Sequence, residues 1–326
     1  MPQGPADWPD NPVLVEVRRS GFLESVHRGS LVVLDATGSV AFAVGAVDRP
    51  VLPRSSNKPV QATALLAAGW RPRSSEELAI GAGSHNGEDG HRELAAAMLA
   101  AVGLGPEDLG CPPALPQHIG TESEWIVAGR APERLAMNCS GKHAAMLSAC
   151  VAAGWPTAGY LDRDHPLQQA IEARLAEAAG EPVTAVVVDG CGAPQHALSV
   201  TGLARGVLSL VQAPEGSRER SDADAMRAHP WLVAGTGRED TDLMTAIPGL
   251  LVKGGADGVH VAALPGKGAV AFKLDDGGDR GRTPALAAGL SRLGVPDEVL
   301  ARWAVTHLSG GDGVVGNVRA AASLSP

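Results

Sequence analysis

In Arg54-Ser55-Ser56-Asn57-Lys58-Pro59 a serine and a lysine stand three residues apart, a spacing that sets both side chains on one face of a helix. A serine hydroxyl is a poor nucleophile until a neighbouring base takes its proton. A lysine acts as that base only where burial or nearby cations lower its pKa. Pro59 opposes α conformation at Lys58. The conflict eases if the motif occupies a helix's first turn, where a missing N–H costs little. Taken alone, the same residues also suit a helix start with an exposed lysine.

Two further segments carry candidates. Gly83-Ser84-His85-Asn86-Gly87-Glu88-Asp89-Gly90-His91 follows an apolar run and precedes a helix, which sets polar groups at an element's edge. An ordinary polar turn with Asp89 as a helix cap is the competing reading. His85 and His91 lack the i, i+4 spacing of a zinc protease helix. Lys253-Gly254-Gly255-Ala256-Asp257-Gly258 follows Leu250-Leu251-Val252, and glycines after a strand lysine let a ligand approach the backbone. Serine hydrolases of the β-lactamase and penicillin-binding class carry S-x-x-K, S-x-N and K-T-G on one cleft. Here the order is Ser55/Lys58, Ser84/Asn86 and Lys253/Gly255, with Gly254 in place of the threonine.

Asn138-Cys139-Ser140-Gly141-Lys142-His143 and Asp189-Gly190-Cys191-Gly192 each set a cysteine in a glycine-containing turn beside an apolar element. Thiolates that met in space would suit zinc, and a metal lowers the pKa of an adjacent amine. The usual C-x-x-C pairing is absent, so spacing alone assigns no metal and buried free thiols compete. Cys111 and Cys150 read as structural.

The elements that must position these groups are legible in outline. Val13–Val17, Phe22–Val26, Leu31–Asp35 and Val40–Val44 read as strands of an antiparallel meander, punctuated at Gly29 and at Thr37-Gly38. Helices follow over 59–70, after a capping box at Ser74 and Glu77, over 89–102, 142–153 and 166–179. Residues 183–188 read as a strand, 259–264 and 269–274 as a hairpin, 213–224 as a mobile loop, and the C-terminal portion as helix. Strands at both ends with helices between imply an α+β protein, one integrated unit over 1–326. In it, strands of 13–46 and 183–274 share a sheet.

Composition narrows the function classes. The 36 acidic residues outnumber the 27 basic ones and give a formal charge of −9, which argues against nucleic acid as a partner. No apolar run reaches the roughly 18 residues a spanning helix needs. Met1–Asp7 lacks the basic-then-apolar pattern of a signal peptide, so a cytoplasmic setting is expected. Four cysteines are too few for a disulfide framework at this length.

These segments, in their order and spacing from about Val13 to Ala321, resemble the signatures of rhizobial-type (class 3) L-asparaginases, of the asparaginase II family. Cys139-Ser140-Gly141-Lys142-His143 with Met146-Leu147 is the most specific match. The resemblance implies an α+β fold related to serine β-lactamases and glutaminases, an antiparallel sheet with a helical portion. It implies hydrolysis of L-asparagine to L-aspartate and ammonia. Ser55 with Lys58 and Ser84 with Lys253 would form two Ser-Lys tandems, with Arg54, His85 and Asp189 in support. Cys139, Lys142 and Cys191 would hold zinc, and the enzyme would be a homodimer. Asp240 departs from the pattern, since the family has a cysteine in that segment. The alternatives are a Ser-Lys amidohydrolase for glutamine or a β-lactam, and a zinc- or small-molecule-binding regulator on a hydrolase fold.

Overall fold

The computed structural model describes residues 8–324; the expectation about Met1–Asp7 lies outside them. The strands are β1 (Val13–Arg19), β2 (Phe22–Asp35), β3 (Val40–Val44), β4 (Pro50–Val51), β5 (Ala185–Val188), β6 (Pro194–Ser199), β7 (Leu251–Gly254), β8 (Val259–Leu264), β9 (Gly268–Leu274), β10 (Val305–Gly310) and β11 (Gly313–Ala320). The helices are α1 (Lys58–Ala67), α2 (Ser75–Gly81), α3 (Asp89–Ala100), α4 (Ile119–Val127), α5 (Ser140–Ala153), α6 (Pro166–Ala179), α7 (Val200–Gln212), α8 (Arg218–Ala228), α9 (Pro230–Val233), α10 (Glu239–Ala246), α11 (Arg282–Arg292) and α12 (Asp297–Ala304).

An eight-stranded antiparallel sheet runs in the order β10-β11-β1-β2-β9-β8-β7, with β3 also paired to β2. The protein is α+β. Gly29 to Leu34 and all of β8 are buried, as continuous apolar runs require when both faces of a strand are covered. α7 and α11 lie against β2, β8 and β9. Aromatics being scarce, Ala, Val and Leu fill most of the core. Among the described residues no helix is long and apolar enough to cross a membrane.

Several expectations need correction. Gly29 does not end a strand, because β2 runs unbroken through it. A β-carbon there would lie 2.1 Å from the carbonyl oxygen of Lys273, so the glycine serves the close approach of β9. The strand at 183–188 forms as β5 but joins a separate three-stranded sheet, β4-β6-β5. Its hairpin partner β6 claims its edge. The loop expected over 213–224 becomes helix from Arg218, because Ser217 caps it by accepting from the Arg220 N–H at 3.1 Å. Ala223, Ala225 and Met226 supply its buried face. The C-terminal portion is not helix throughout, since β10 and β11 follow α12, and β11 pairs with β1.

At Ser74 half of the capping box holds. Its hydroxyl accepts from Glu77 N at 3.4 Å, but the Glu77 carboxylate reaches Arg73 N at 2.7 Å instead of the cap residue. α6 begins at Pro166 and ends before a left-handed Gly180, as its sequence marks both ends.

Candidate active site

Segments far apart in sequence converge on Lys58. A short 3-10 turn, Arg54–Asn57, leads directly into α1, where Lys58 stays α-helical at φ −57° and ψ −37° although Pro59 follows. The proline falls in the first turn, where its missing N–H has no helical partner to lose. Arg54 is left-handed, at φ +54°, which costs a residue with a β-carbon roughly 1–2 kcal/mol. Its guanidinium is pinned in place, with Nε donating to Asp189 Oδ1 at 2.8 Å and an ion pair to Asp257.

The Lys58 side chain is buried, and its three donors are all engaged. They reach Gly83 O at 2.6 Å, Ser84 Oγ at 2.7 Å and Cys139 Sγ at 3.1 Å. Burial pushes the Lys58 pKa down, against the opposing pull of Cys139. The structure therefore joins Lys58 to Ser84, and Ser55 makes no side-chain hydrogen bond among the described residues. The neighbouring Ser56 hydroxyl is buried without a partner. It packs under Gly255, whose β-carbon would lie 2.8 Å from Ser56 Oγ and 2.6 Å from Pro53 O. That glycine lets the end of β7 abut the 54–57 turn.

Ser84 is set by an extended run threaded between two neighbours. Ser84 N donates to Val233 O at 2.7 Å and His85 N to Asn138 O at 3.0 Å. A β-carbon at Gly83 would lie 3.0 Å from the carbonyl oxygens of both Leu232 and Val233. His85 is fully enclosed. Its Nδ1 accepts from Gly87 N at 3.1 Å, and its Nε2 meets Ser140 Oγ at 3.0 Å while that hydroxyl donates to Leu135 O. Burial holds its pKa well below the usual histidine value, so a neutral ring braces the segment. Asn86 Nδ2 donates to Thr236 O, and its Oδ1 accepts from Arg238 Nη1 at 3.1 Å.

Lys253 enters from β7, at 1% exposure. Its Nζ donates to Gly254 O at 2.8 Å and lies 3.5 Å from Asp240 Oδ2. No hydrogen bond joins it to Ser84. Burial pulls its pKa down to about 8, Asp240 working against that and Lys58, Arg238 and Arg282 adding to it.

The thiols form an adjoining cluster. Lys142 Nζ donates to Cys191 Sγ at 3.2 Å, Cys139 Sγ donates to Asn138 Oδ1 at 3.1 Å, and Asp189 Oδ2 lies 3.9 Å from Cys191 Sγ. Cys191 beside it, with Lys58 and Lys142, holds the Cys139 thiol well below its usual range despite burial. Burial works to lower the Lys142 pKa, but both thiols outweigh it and carry the value up to about 12. Beside them His143 Nε2 is buried without a partner, its Nδ1 bonded to Tyr160 at 2.6 Å. Cys111 and Cys150 are buried, and burial pushes both thiols up to about 11.

Three residues here escaped the sequence reading as site members. Asp240 registered only as a departure, while His260 and Arg282 went unnoticed. All three surround Lys253 from α10, β8 and α11. The available signal was a lone histidine within the apolar run Val259-His260-Val261. A cavity of about 660 Å³ opens on the outer side of Arg54, lined also by Leu52, Val187, Asp257 and Lys273. Ser55, Lys58, Ser84 and Lys253 do not line it.

A family model described as L-asparaginase II matches residues 15–320. No curated protein matches the chain. Among solved structures the chain is similar to Mglu in its native form, with 16% identity and a TM-score of 0.43 over 88% of this chain and 67% of that one. It spans about two thirds of the length of the Mglu structures. It is similar to a β-lactamase from Mycobacterium bovis, with 14% identity and a TM-score of 0.37 over 84% of this chain and 94% of the other. A Bacillus glutaminase shows 12% identity and a TM-score of 0.30 over 77% and 84%.

Proposed function

The chain belongs to the L-asparaginase II family, a family of amidohydrolases, and from that premise we propose that it hydrolyses the side-chain amide of L-asparagine through a serine ester. The observation that carries this reading is Lys58: a buried amine with a depressed pKa, bonded to a serine hydroxyl at 2.7 Å. Ser55 attacks the amide carbon, and its proton passes to the neutral Lys58 amine. Ser84, bonded to Lys58, hands a proton to the amide nitrogen, and ammonia leaves as the C–N bond breaks. Water then attacks the aspartyl ester, gives one proton to Lys58, and aspartate departs as Ser55 regains its own. Lys253 stands beside this exchange as a cation. Arg54 and Asp189 hold the turn that carries Ser55.

The direct Lys58–Ser84 bond favours a second reading, in which Ser84 is itself the nucleophile. Cys139, Lys142 and Cys191 fit a zinc ion by donor chemistry, two sulfurs and one nitrogen beside an unpartnered His143 Nε2. Zinc there would supply fixed positive charge and would require Lys142 as the neutral amine. A small-molecule substrate, a cytoplasmic setting and a homodimer belong to the same reading.

The test is ammonia release from L-asparagine, L-glutamine and a chromogenic β-lactam, with and without a chelator. Turnover confined to asparagine supports the proposal. Ser55→Ala is expected to lower kcat by about four orders of magnitude or more, as loss of a nucleophile does. An active Ser55→Ala beside a dead Ser84→Ala would move the nucleophile to Ser84. Turnover of glutamine or the lactam alone would change the substrate, and silence from a folded, zinc-loaded chain would leave a binding role.

A further inference from the structure

Asp240 is buried, and both of its carboxylate oxygens are spoken for. Oδ2 accepts from Gly254 N at 2.8 Å and faces Lys253 Nζ at 3.5 Å; Oδ1 accepts from His260 Nε2 at 2.8 Å. Beyond it, His260 Nδ1 lies 3.9 Å from Glu239 Oε1, and that oxygen is paired to Arg282 Nη2 at 2.5 Å. The carboxylates of Glu239 and Asp240 face the cations Arg282 and Lys253. The ligand atoms of Glu239, Asp240 and His260 lie within 4.8 Å of one another. Lys253 and Arg282 already neutralise that cluster, so it has no need of a metal.

We infer that Asp240 is the positioning residue of the site, holding Lys253 in place as an ammonium beside the exchange in which Lys58 is the base. The inference rests on the Ser-Lys reading above. A lysine free of water keeps its proton only where an anion lies close. Lys58 on α1, Arg238 ahead of α10 and Arg282 on α11 work against that proton, and Glu239 of α10 is paired to Arg282. His260 on β8 is turned to Asp240. Arg54 of the 54–57 turn is paired to Asp189 and Asp257, and Arg227 of α8 is paired to Asp224 and reaches Gly249 O, outside the strand. Among these charged groups Asp240 is the one that favours the proton on Lys253. The two buried lysines are thus set apart by their neighbours, a carboxylate beside Lys253 and a thiol beside Lys58.

The sequence holds five lysines, so the ε-carbon signals of the full chain labelled with 13C-lysine are few enough to assign, Lys253→Met identifying the one sought. In the parent, Lys253 is expected to be an ammonium at neutral pH. In Asp240→Asn its proton affinity should fall about tenfold or more, one pKa unit being a factor of ten. The alkaline limb of kcat should move down by the same interval, with KM little changed. A merely structural role would move neither the titration nor the limb. A folded Asp240→Asn whose Lys253 titrates as in the parent overturns the inference. Should that variant fail to fold, the parent decides: Lys253 already neutral at neutral pH overturns the inference, and an ammonium there supports it. The titration needs no turnover, so it stands apart from the ammonia assay that tests the substrate.

Discussion

A β-carbon on Gly254 would lie 2.4 Å from Arg282 Nη2 and 3.3 Å from Asp240 Oδ1. The place taken by threonine in K-T-G is thus filled by other residues, and the glycine makes room for them. Arg282 cannot swing away cheaply, being buried and bound to Glu239 and Asp279. Gly254→Thr is expected to cost about 1–3 kcal/mol, the usual range for overpacking, as a lowered melting temperature. A variant melting with the parent would show that Arg282 yields freely. At this scale Ser55, Lys58, Ser84 and Lys253 could be marked as candidates, because a hydroxyl near a lysine announces chemistry. Their partners were not. Ser84 meets Lys58 only because Gly83 can thread between the 138 and 233 segments, and Asp240 meets Lys253 only through the packing of α10 on β7.

Elements with local marks were legible, and those without were not. α6 has proline at one end and glycine at the other, and its bounds followed. β2 was misread as two strands because glycine serves both turns and close backbone approach; only the position of β9 decides between them. The start of α8 was concealed by polar composition, although Ser217 was a cap in plain view. Ser217→Ala should destabilise the protein by about 1 kcal/mol, the common worth of such a cap, seen as a lower urea midpoint with an unchanged slope. An unchanged midpoint would mean that Arg218 to Ser221 draw their order from elsewhere.

Across the whole molecule, the pairing of β11 with β1 and the buried surface of α8 lie beyond local pattern. Within α8, Asp222 is fully buried and its carboxylate oxygens have no partner. Burial, with Glu219 adding to it, pushes its pKa well above the ordinary 3.8. A carboxyl that binds its proton more tightly when folded gives stability that is full in acid and drains away as pH rises through the folded value. Asp222→Asn should therefore melt above the parent at neutral pH, by the equivalent of roughly 1–3 kcal/mol of relieved desolvation, and lose that advantage in acid. A constant offset at every pH would assign the effect to packing. One further consequence lies in the strand order. Val15 pairs with Ala320, and Ala321 N donates to Leu14 O. During synthesis β1 therefore waits, one edge bare, until β11 has left the ribosome. Contacts so distant along the chain make for slow folding. Until then the nascent chain presents an open strand edge to anything able to pair with it, and a chaperone would find its task there.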